Sequence, residues 1–469
     1  LSKGIVEKLE KIVGKEHVIT SDSEKLPYKY DASLFSGEIP LAVVLPRTVD
    51  EVSEILKICN ENKVPVVPRG GGTSLTGGPV PLANGIVLSL SRMNNILEVN
   101  VEDNYVLVEA GVRLGQLNDH LRENYGYFFP PDPASSVAAT VGGVIANDSS
   151  GLTGVRYGSV KNWVLGLEVV LPNGQILRFG NKTLKYRVGY DLTSLIVGSE
   201  GTLGVITKAY LKIWPKPEKI VRFLIYLDEI SKVGEAIVRL KKGKFAPVSA
   251  EFIDKSYIDI LRKIEKFEAP DSGNYALIID LECTEESVNR VVENVLRIIN
   301  SLNPVDVQHS DDPVMIEELN RIRKGAGSVL LHMREKSTET TITSDIIVPP
   351  SHLPSFLTAL KKKIEEYGML APMLGHIGEG NIHVDVFCDL SDDQNFKKAM
   401  ELLHEMGRMA LEHGGSVSAE HGIGLEKRDL LIEEYRFRKS EEAVNIMREI
   451  KRIFDPNNIL NPTKVLKEP

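Results

Sequence analysis

Two histidines, His376 and His383, lie in GHIGEGNIHVDVFCD (375–389), separated by glycines that let the chain fold back on itself. The NIHVDVF that follows alternates, which puts His383 and Asp385 on one face of a strand and Ile382, Val384 and Val386 on the other. Two converging imidazoles need a third donor to hold a metal ion, and SAEHGIG (418–424) offers Glu420 and His421. Two histidines and a carboxylate with an open position make a catalytic metal set suited to Zn, Mn or Fe(II). Spacing alone fits hydrogen-bonded structural histidines equally well.

A different chemistry is suggested by VVPRGGGTSLTGG (66–78), with five glycines in one short stretch. Glycine at this density serves positive φ or a close approach of the main chain, so N–H groups facing an anion, first of all a phosphate, are expected. The common fingerprints do not fit. Leu75 stands where G-x-G-x-x-G needs glycine, and Gly78 and Pro79 stand where a P-loop needs Lys and Ser or Thr. PPDPASSVAATVGGVIANDSSGLTGVRYGSV (130–160) and IVGSEGTLGVIT (196–207) are equally crowded with small residues. Three such loops suit a ligand longer than one phosphate, large, flat and polar-edged.

The elements that must carry these loops are legible. LSKGIVEKLEKIVGKE reads as an amphipathic helix with Ile5, Leu9, Ile12 and Val13 on one side. LAVVLP reads as a strand, and the next segment as a helix that Thr48 caps, with Glu51 three residues on and Val52, Ile55, Leu56 and Cys59 at helical spacing. Strands follow in VPVVPR, GIVLSL, ILEVNVEDNYVLVEAGV, GLEVVLPNGQILRFG and LGVITKAYLKIW. WPKPEK (214–219) interrupts the pattern and marks a domain boundary. Beyond it VGEAIVRLKKG and VNRVVENVLRIINSL read as helices between the strands VRFLIYL and YALIIDLEC, a helix-backed antiparallel sheet. After HGIG the chain is mostly helical.

Composition bounds the function. The 469 residues call for two or three domains, and no stretch approaches the roughly 18 apolar residues of a membrane span. The N-terminal segment lacks the long apolar run of a secretory signal, so a cytoplasmic protein is expected, peripheral at most to the inner face of a membrane. Cys59, Cys283 and Cys388 are the only cysteines and are widely spaced, which excludes a disulfide scaffold, a Cys-based zinc site and an iron–sulfur cluster within the chain. A formal charge of −9 argues against nonspecific nucleic-acid binding.

In their order and spacing, PRGGGTSLTGG, PPDPASS…TVGGVIANDSSG…RYGSV and GSEGTLGVIT resemble the FAD-binding domain of the p-cresol methylhydroxylase and vanillyl-alcohol oxidase superfamily. The downstream motifs resemble its branch of glycolate oxidases and D-lactate dehydrogenases, and the resemblance covers essentially the whole chain. It implies an α+β fold with a two-subdomain FAD-binding domain over 1–215, an antiparallel-sheet substrate domain over 216–425 that carries the metal site, and a helical segment over 426–469 that returns to the FAD domain.

The resemblance also implies residue roles. Arg69, Gly70, Gly71, Gly72, Thr73 and Ser74, with Gly77 and Gly78, hold the FAD pyrophosphate by backbone donors. Pro68, Pro131, Asp132, Ser135, Thr140, Gly142, Gly143, Asn147, Ser149 and Gly158 join the cofactor site, as do Glu200, Gly201, Gly204, Ile206 and Asn461. Some relatives attach flavin to a histidine in or near the first loop; this loop has none, so dissociable FAD is expected. His376, His383 and Glu420 are implied as ligands of a divalent metal, and His421 as catalytic base. Arg323 is implied as the partner of a substrate carboxylate, and Asn381 is counted among the catalytic residues.

The implied reaction oxidises a small D-2-hydroxy acid, lactate or glycolate before others, to the 2-oxo acid with hydride transfer to flavin N5. An electron acceptor is needed, with an iron–sulfur protein, a quinone and an electron-transferring flavoprotein as candidates, and a homo-oligomer is compatible. Relatives acting on 2-hydroxyglutarate have a Lys where Thr343 stands, which argues against a second substrate carboxylate. Pro350 and His352 replace arginines frequent in the glycolate oxidase type. The competing functions are 2-hydroxyglutarate oxidation, a noncatalytic FAD carrier in an electron-transfer complex, and a non-redox acyl-for-alkyl exchange.

Overall fold

A computed structural model describes residues 2–82, 84–264, 269–316 and 326–467. The chain forms two units, one of residues 1–150, 159–216 and 420–469, the other of residues 151–158 and 217–419. The return to the first unit thus begins at Glu420, ahead of the expected 426.

In the first unit Thr48 caps the helix Val49–Glu61, its side chain accepting from the Glu51 N–H at 3.2 Å, and Val52, Ile55, Leu56 and Cys59 are buried. This helix precedes the strand Val66–Arg69, which pairs in parallel with Ile86–Ser89, itself parallel to Ala42–Val44; Val18–Ile19 closes the four-stranded sheet in antiparallel pairing. A second sheet of five strands is antiparallel throughout, in the order Ile96–Asn100, Tyr105–Glu109, Val205–Lys212, Val164–Val170 and Ile176–Gly180. Short loops dictate the antiparallel pairing of Ile96–Asn100 with Tyr105–Glu109 and of Val164–Val170 with Ile176–Gly180, because a parallel crossover needs a dozen or more residues.

The segment 130–160 differs from the loop expected. A helix, Val141–Asn147, forms inside it, with Thr140 Oγ1 accepting from the Gly143 N–H at 3.3 Å. Two glycines make this a poor helix by propensity. Close packing overrides that: a Cβ on Gly142 would fall 2.7 Å from the Ala110 Cβ.

The second unit is built on one antiparallel sheet, Asp306–Ser310, Lys219–Leu227, Tyr275–Cys283, Ser249–Asp254, Met373–Gly375, Asn381–Asp389 and Glu339–Thr343 in spatial order, with Ile346–Ile347 also paired to Asn381–Asp389. Both faces are covered. Phe223, Ile225 and Leu227 share a core with Val233, Ile237 and Leu240 of the helix Ile230–Lys242 and with Phe356, Leu357 and Leu360 of Leu353–Tyr367. The intervening Leu224 and Tyr226 join Tyr257, Ile258 and Leu261 on the other side. Alternation therefore puts Ile382, Val384, Val386 and Cys388 in the larger core and His383 and Asp385 on the opposite face. No helix among the described residues is long and apolar enough to cross a membrane.

One ion pair is sealed in this sheet. Arg222 donates from Nε to Asp280 Oδ1 at 2.6 Å and from Nη2 to Oδ2 at 2.5 Å, Ser249 Oγ donates to Oδ2 at 3.0 Å, and Arg222 Nη1 donates to the Ile316 carbonyl at 2.7 Å. Removing one member of a buried pair strands the other charge, at a cost of about 3–5 kcal/mol. Asp280→Ala is expected to lower the unfolding free energy measured by denaturant titration by that amount, and an unchanged unfolding free energy would show that Arg222 is not left as a stranded buried charge.

Candidate functional site

The strand Val66–Arg69 ends at the first glycine loop, and what the loop leaves unsatisfied defines the site. Among the described residues no acceptor takes the N–H groups of Gly71, Gly72, Thr73 and Ser74. They border a cavity of about 620 Å³ in the first unit. Backbone donors left in this state are costly unless a ligand or water takes them, and four in succession form an anion-binding concavity. The cavity reaches Ser135, Thr140, Gly142, Gly143, Asn147 and Ser149 of the second loop and Glu200, Gly201, Gly204 and Ile206 of the third. Pro68, Arg69, Gly70, Gly78, Glu420, His421 and Asn461 also line it.

The glycines do two different jobs. Gly142 and Gly143 do not offer their N–H groups, since Gly142 donates to the Ala110 carbonyl at 2.8 Å and Gly143 to Thr140 Oγ1. Their use lies in the missing side chain. The first and second loops touch directly: a Cβ on Gly70 would lie 2.1 Å from Thr140 Oγ1, and one on Gly71 2.1 Å from the Ala138 carbonyl oxygen. Gly77, Pro131 and Asp132 are not among the lining residues, and Gly158 falls in the segment grouped with the second unit.

Two buried polar atoms at the cavity fit a ligand that brings hydrogen-bond donors, as the hydroxyls and ring N–H of FAD would. Asn461 donates through Nδ2 to the carbonyls of Gly78 and Glu200, at 3.1 and 2.7 Å, while its Oδ1 has no partner among the described residues. Asp31 Oδ2 is in the same position. Burial raises the Asp31 carboxyl above its ordinary pKa, against the opposing pull of Ser33 and Arg69. Arg69 itself is engaged with protein, donating from Nη2 to the Tyr30 carbonyl at 2.7 Å.

Glu200 faces the protein. Its Oε1 accepts from the Ile423 N–H at 2.7 Å and its Oε2 from the Gly424 N–H at 2.9 Å. Burial pushes its pKa up, opposed by those two N–H groups and by the charges of Lys427 and Lys464. Lys464 is pushed down to about 8, chiefly by burial and then by Arg428. Asn147 Nδ2 donates to the Glu420 carbonyl at 2.7 Å.

In the second unit His376 and His383 come together, ring centroids 5.3 Å apart and planes nearly perpendicular. His376 Nδ1 lies 2.7 Å from Glu251 Oε1. His383 Nδ1 lies 3.4 Å from the Ser344 carbonyl oxygen and 3.7 Å from Asp345 Oδ1. An acceptor at Nδ1 holds the proton there, which puts the lone pair on Nε2 and orients each ring as metal-binding histidines are oriented. The donor set thus fits a metal. Glu251 and Asp345 escape the sequence motifs. Glu251 lies in SAEFID on the strand Ser249–Asp254 and Asp345 two residues past Thr343, and neither has a motif signal of its own.

Asn381 gives its amide donors to the fold, Nδ2 donating to Asp345 Oδ1 and to the Ile346 carbonyl, both at 3.0 Å. Thr343 Oγ1 donates to Asp385 Oδ1 at 2.5 Å. Arg323 lies outside the described residues.

Comparison with known proteins accords with this geometry. The profile of FAD linked oxidases, C-terminal domain, matches residues 216–465, and that of the FAD binding domain matches residues 40–180. The chain is 36% identical to glycolate oxidase subunit GlcD of Bacillus subtilis over 99% of this chain and 97% of the relative. It is 32% identical to D-lactate dehydrogenase of Anaerostipes hadrus, covering 98% and 97%. In fold it resembles p-cresol methylhydroxylase at a TM-score of 0.80 and 21% identity, covering 99% of this chain and 97% of that one.

Gly71→Ala tests the loop contact. Overpacking costs about 1–3 kcal/mol, and with a carbonyl oxygen as the obstacle the loop must move. Flavin retention on gel filtration is expected to weaken by about tenfold or more by that same measure, with the far-ultraviolet dichroism unchanged. Undiminished retention would show that the loop contact is not needed for the cofactor.

Proposed function

Since the chain belongs to the family of FAD-linked oxidases, we propose that it oxidises a small D-2-hydroxy acid, lactate or glycolate before others, to the 2-oxo acid. The observation that carries this reading is that Glu420 and His421 line the same cavity as the unpaired N–H groups of Gly71 to Ser74. A protein that only carried flavin would have no use for an acid and a base there.

The chain's residues divide the work. The N–H groups of the first loop take the anionic pyrophosphate of noncovalently held FAD, and the bare glycine surfaces of the second loop admit the cofactor against the main chain. When bound, FAD supplies the acceptor for the hydride from the substrate α-carbon. His376, His383 and Glu420 would hold a divalent Zn, Mn or Fe ion, which when bound lowers the pKa of the substrate hydroxyl. His421 takes the hydroxyl proton as general base. Arg323 holds the substrate carboxylate by a charge-assisted pair.

Thr343 supports a single-carboxylate substrate. It is uncharged, and its hydroxyl is spent on Asp385, an acid that would repel a second carboxylate. With only three cysteines the chain holds no iron–sulfur cluster of its own, so electrons leave the flavin for a separate acceptor.

Anaerobic mixing with D- and L-hydroxy acids tests the reading without any acceptor. D-Lactate or glycolate is expected to bleach the flavin and L-lactate is not; a flavin indifferent to the whole panel would refute the assignment. Arg323→Ala is expected to raise KM strongly, since a charged hydrogen bond is worth about 1.5–3 kcal/mol, and unchanged kinetics would remove Arg323 from the site.

Glu420→Gln and His421→Ala separate ligand from base. The first is expected to lower metal occupancy, with reduction partly restored by added metal. The second is expected to keep metal and FAD while slowing reduction by on the order of 10² to 10⁴. A chelator is expected to abolish reduction and spare the visible flavin spectrum; full single-turnover reduction in metal-free protein would end the metal assignment.

A further inference from the structure

The segment Glu420–Gly424 carries two of the proposed reacting residues, yet it has no helix or strand of its own. It is held almost peptide by peptide instead. Asn147 Nδ2 donates to the Glu420 carbonyl at 2.7 Å, Thr76 Oγ1 donates to the His421 carbonyl at 3.3 Å, and Glu200 takes the N–H groups of Ile423 and Gly424. Gly422 sits between them at φ 81°, where a Cβ would fall 2.7 Å from Asn147 Oδ1 and 2.9 Å from Glu200 Oε1. Each brace comes from one of the three glycine-rich segments: Thr76 from the first, Asn147 from the second, Glu200 from the third.

Glu200 is itself fixed on every side. Its backbone takes φ 52°, a left-handed conformation unusual for a residue with a side chain. Its N–H donates to the Ala146 carbonyl at 2.7 Å, and its carbonyl accepts from Asn461 Nδ2 at 2.7 Å. Both carboxylate oxygens already serve main-chain donors, and a carboxylate is a poor neighbour for a pyrophosphate.

We propose that Glu200 is a positioning residue that sets Glu420 and His421 at the flavin cavity by clamping Ile423 and Gly424, and that it does not bind the cofactor. The roles of Glu420 and His421 rest on the proposed function; the clamp does not. Because the braces stand on the walls of the cavity, flavin binding and the order of this segment are coupled.

Hydrogen–deuterium exchange of peptides covering 420–426 tests this on holoprotein, flavin-stripped protein and Glu200→Gln. The Gln side chain keeps the shape but turns an amide donor toward one of the two N–H groups. Exchange is expected to rise by about tenfold or more in Glu200→Gln, as loss of a charged hydrogen bond dictates, with flavin content retained. Flavin reduction at saturating substrate is expected to fall by about 10- to 100-fold, the range typical of orienting partners, with KM little changed, and Glu200→Asp to restore part of it.

Unchanged exchange in Glu200→Gln overturns the proposal, as does loss of flavin with exchange unaltered, which would make Glu200 a cofactor ligand. Equal exchange with and without flavin overturns the coupling. If Glu200→Gln does not fold, Glu200→Asp, whose side chain is one methylene shorter and reaches the Ile423 and Gly424 N–H groups less well, is read on the same peptides, faster exchange supporting the clamp and unchanged exchange opposing it. A wild type that no hydroxy acid reduces defeats the proposed function and leaves the exchange result to judge Glu200.

Discussion

Four successive main-chain N–H groups, Gly71 to Ser74, have no acceptor among the described residues, and the architecture of the first unit follows from that deficit. A folded chain tolerates such a run only where a ligand or water completes it. An anionic ligand does so without a lysine. The loop must then stay open to that ligand while its back is pressed against the second loop, and the 2.1 Å that a Cβ on Gly70 or Gly71 would have to its nearest neighbour measures how closely the two backbones approach. Side chains at these places would separate the loops and dismantle the wall of the cavity.

The same economy governs the return of the chain at Glu420. An irregular segment has no internal hydrogen-bond ladder, so its peptide groups must be satisfied by neighbours. Thr76, Asn147 and Glu200 meet that need with one hydroxyl, one amide and one carboxylate. Burial raises the Glu200 pKa, and the Ile423 and Gly424 N–H groups, then the charges of Lys427 and Lys464, oppose that rise only in part. Lys464 is itself pushed down to about 8 by its own burial and by Arg428, and the charges of Asp31 and Glu200 pull it back up.

In the second unit the sheet is covered on both sides, and this decides where polar groups can stand. His376, His383 and Asp385 are each less than a tenth exposed, and Glu251, Asp345, Tyr257 and Thr343 supply hydrogen bonds to them or lie beside them. Imidazoles buried without such partners would reorient or leave the core. Held at Nδ1, they present a fixed tautomer, which is the property a metal ligand requires.

Much of this was legible in the sequence, for physical reasons that can be named. The Thr48 cap, the alternation in NIHVDVF and the proline break at WPKPEK are local: each depends on residues within one or two turns, and propensity and period decide them. The glycine loops were legible as sites because few structures other than a close main-chain approach need so many bare residues. Local signals failed where packing at long range prevailed. The helix Val141–Asn147 forms against its propensity because Gly142 fits beside Ala110. Glu200, Asn147 and Gly142 read, from their motifs, as cofactor contacts. Only the folded chain shows that Glu200 and Asn147 reach segments more than 200 residues away, and that the Gly142 N–H is already taken. Composition and order along the chain determine which residues are available to bind a flavin. Which of them face the ligand, and which spend their polar atoms holding others in place, is decided by tertiary contacts, since a hydrogen bond can go to one partner only where distance and direction allow.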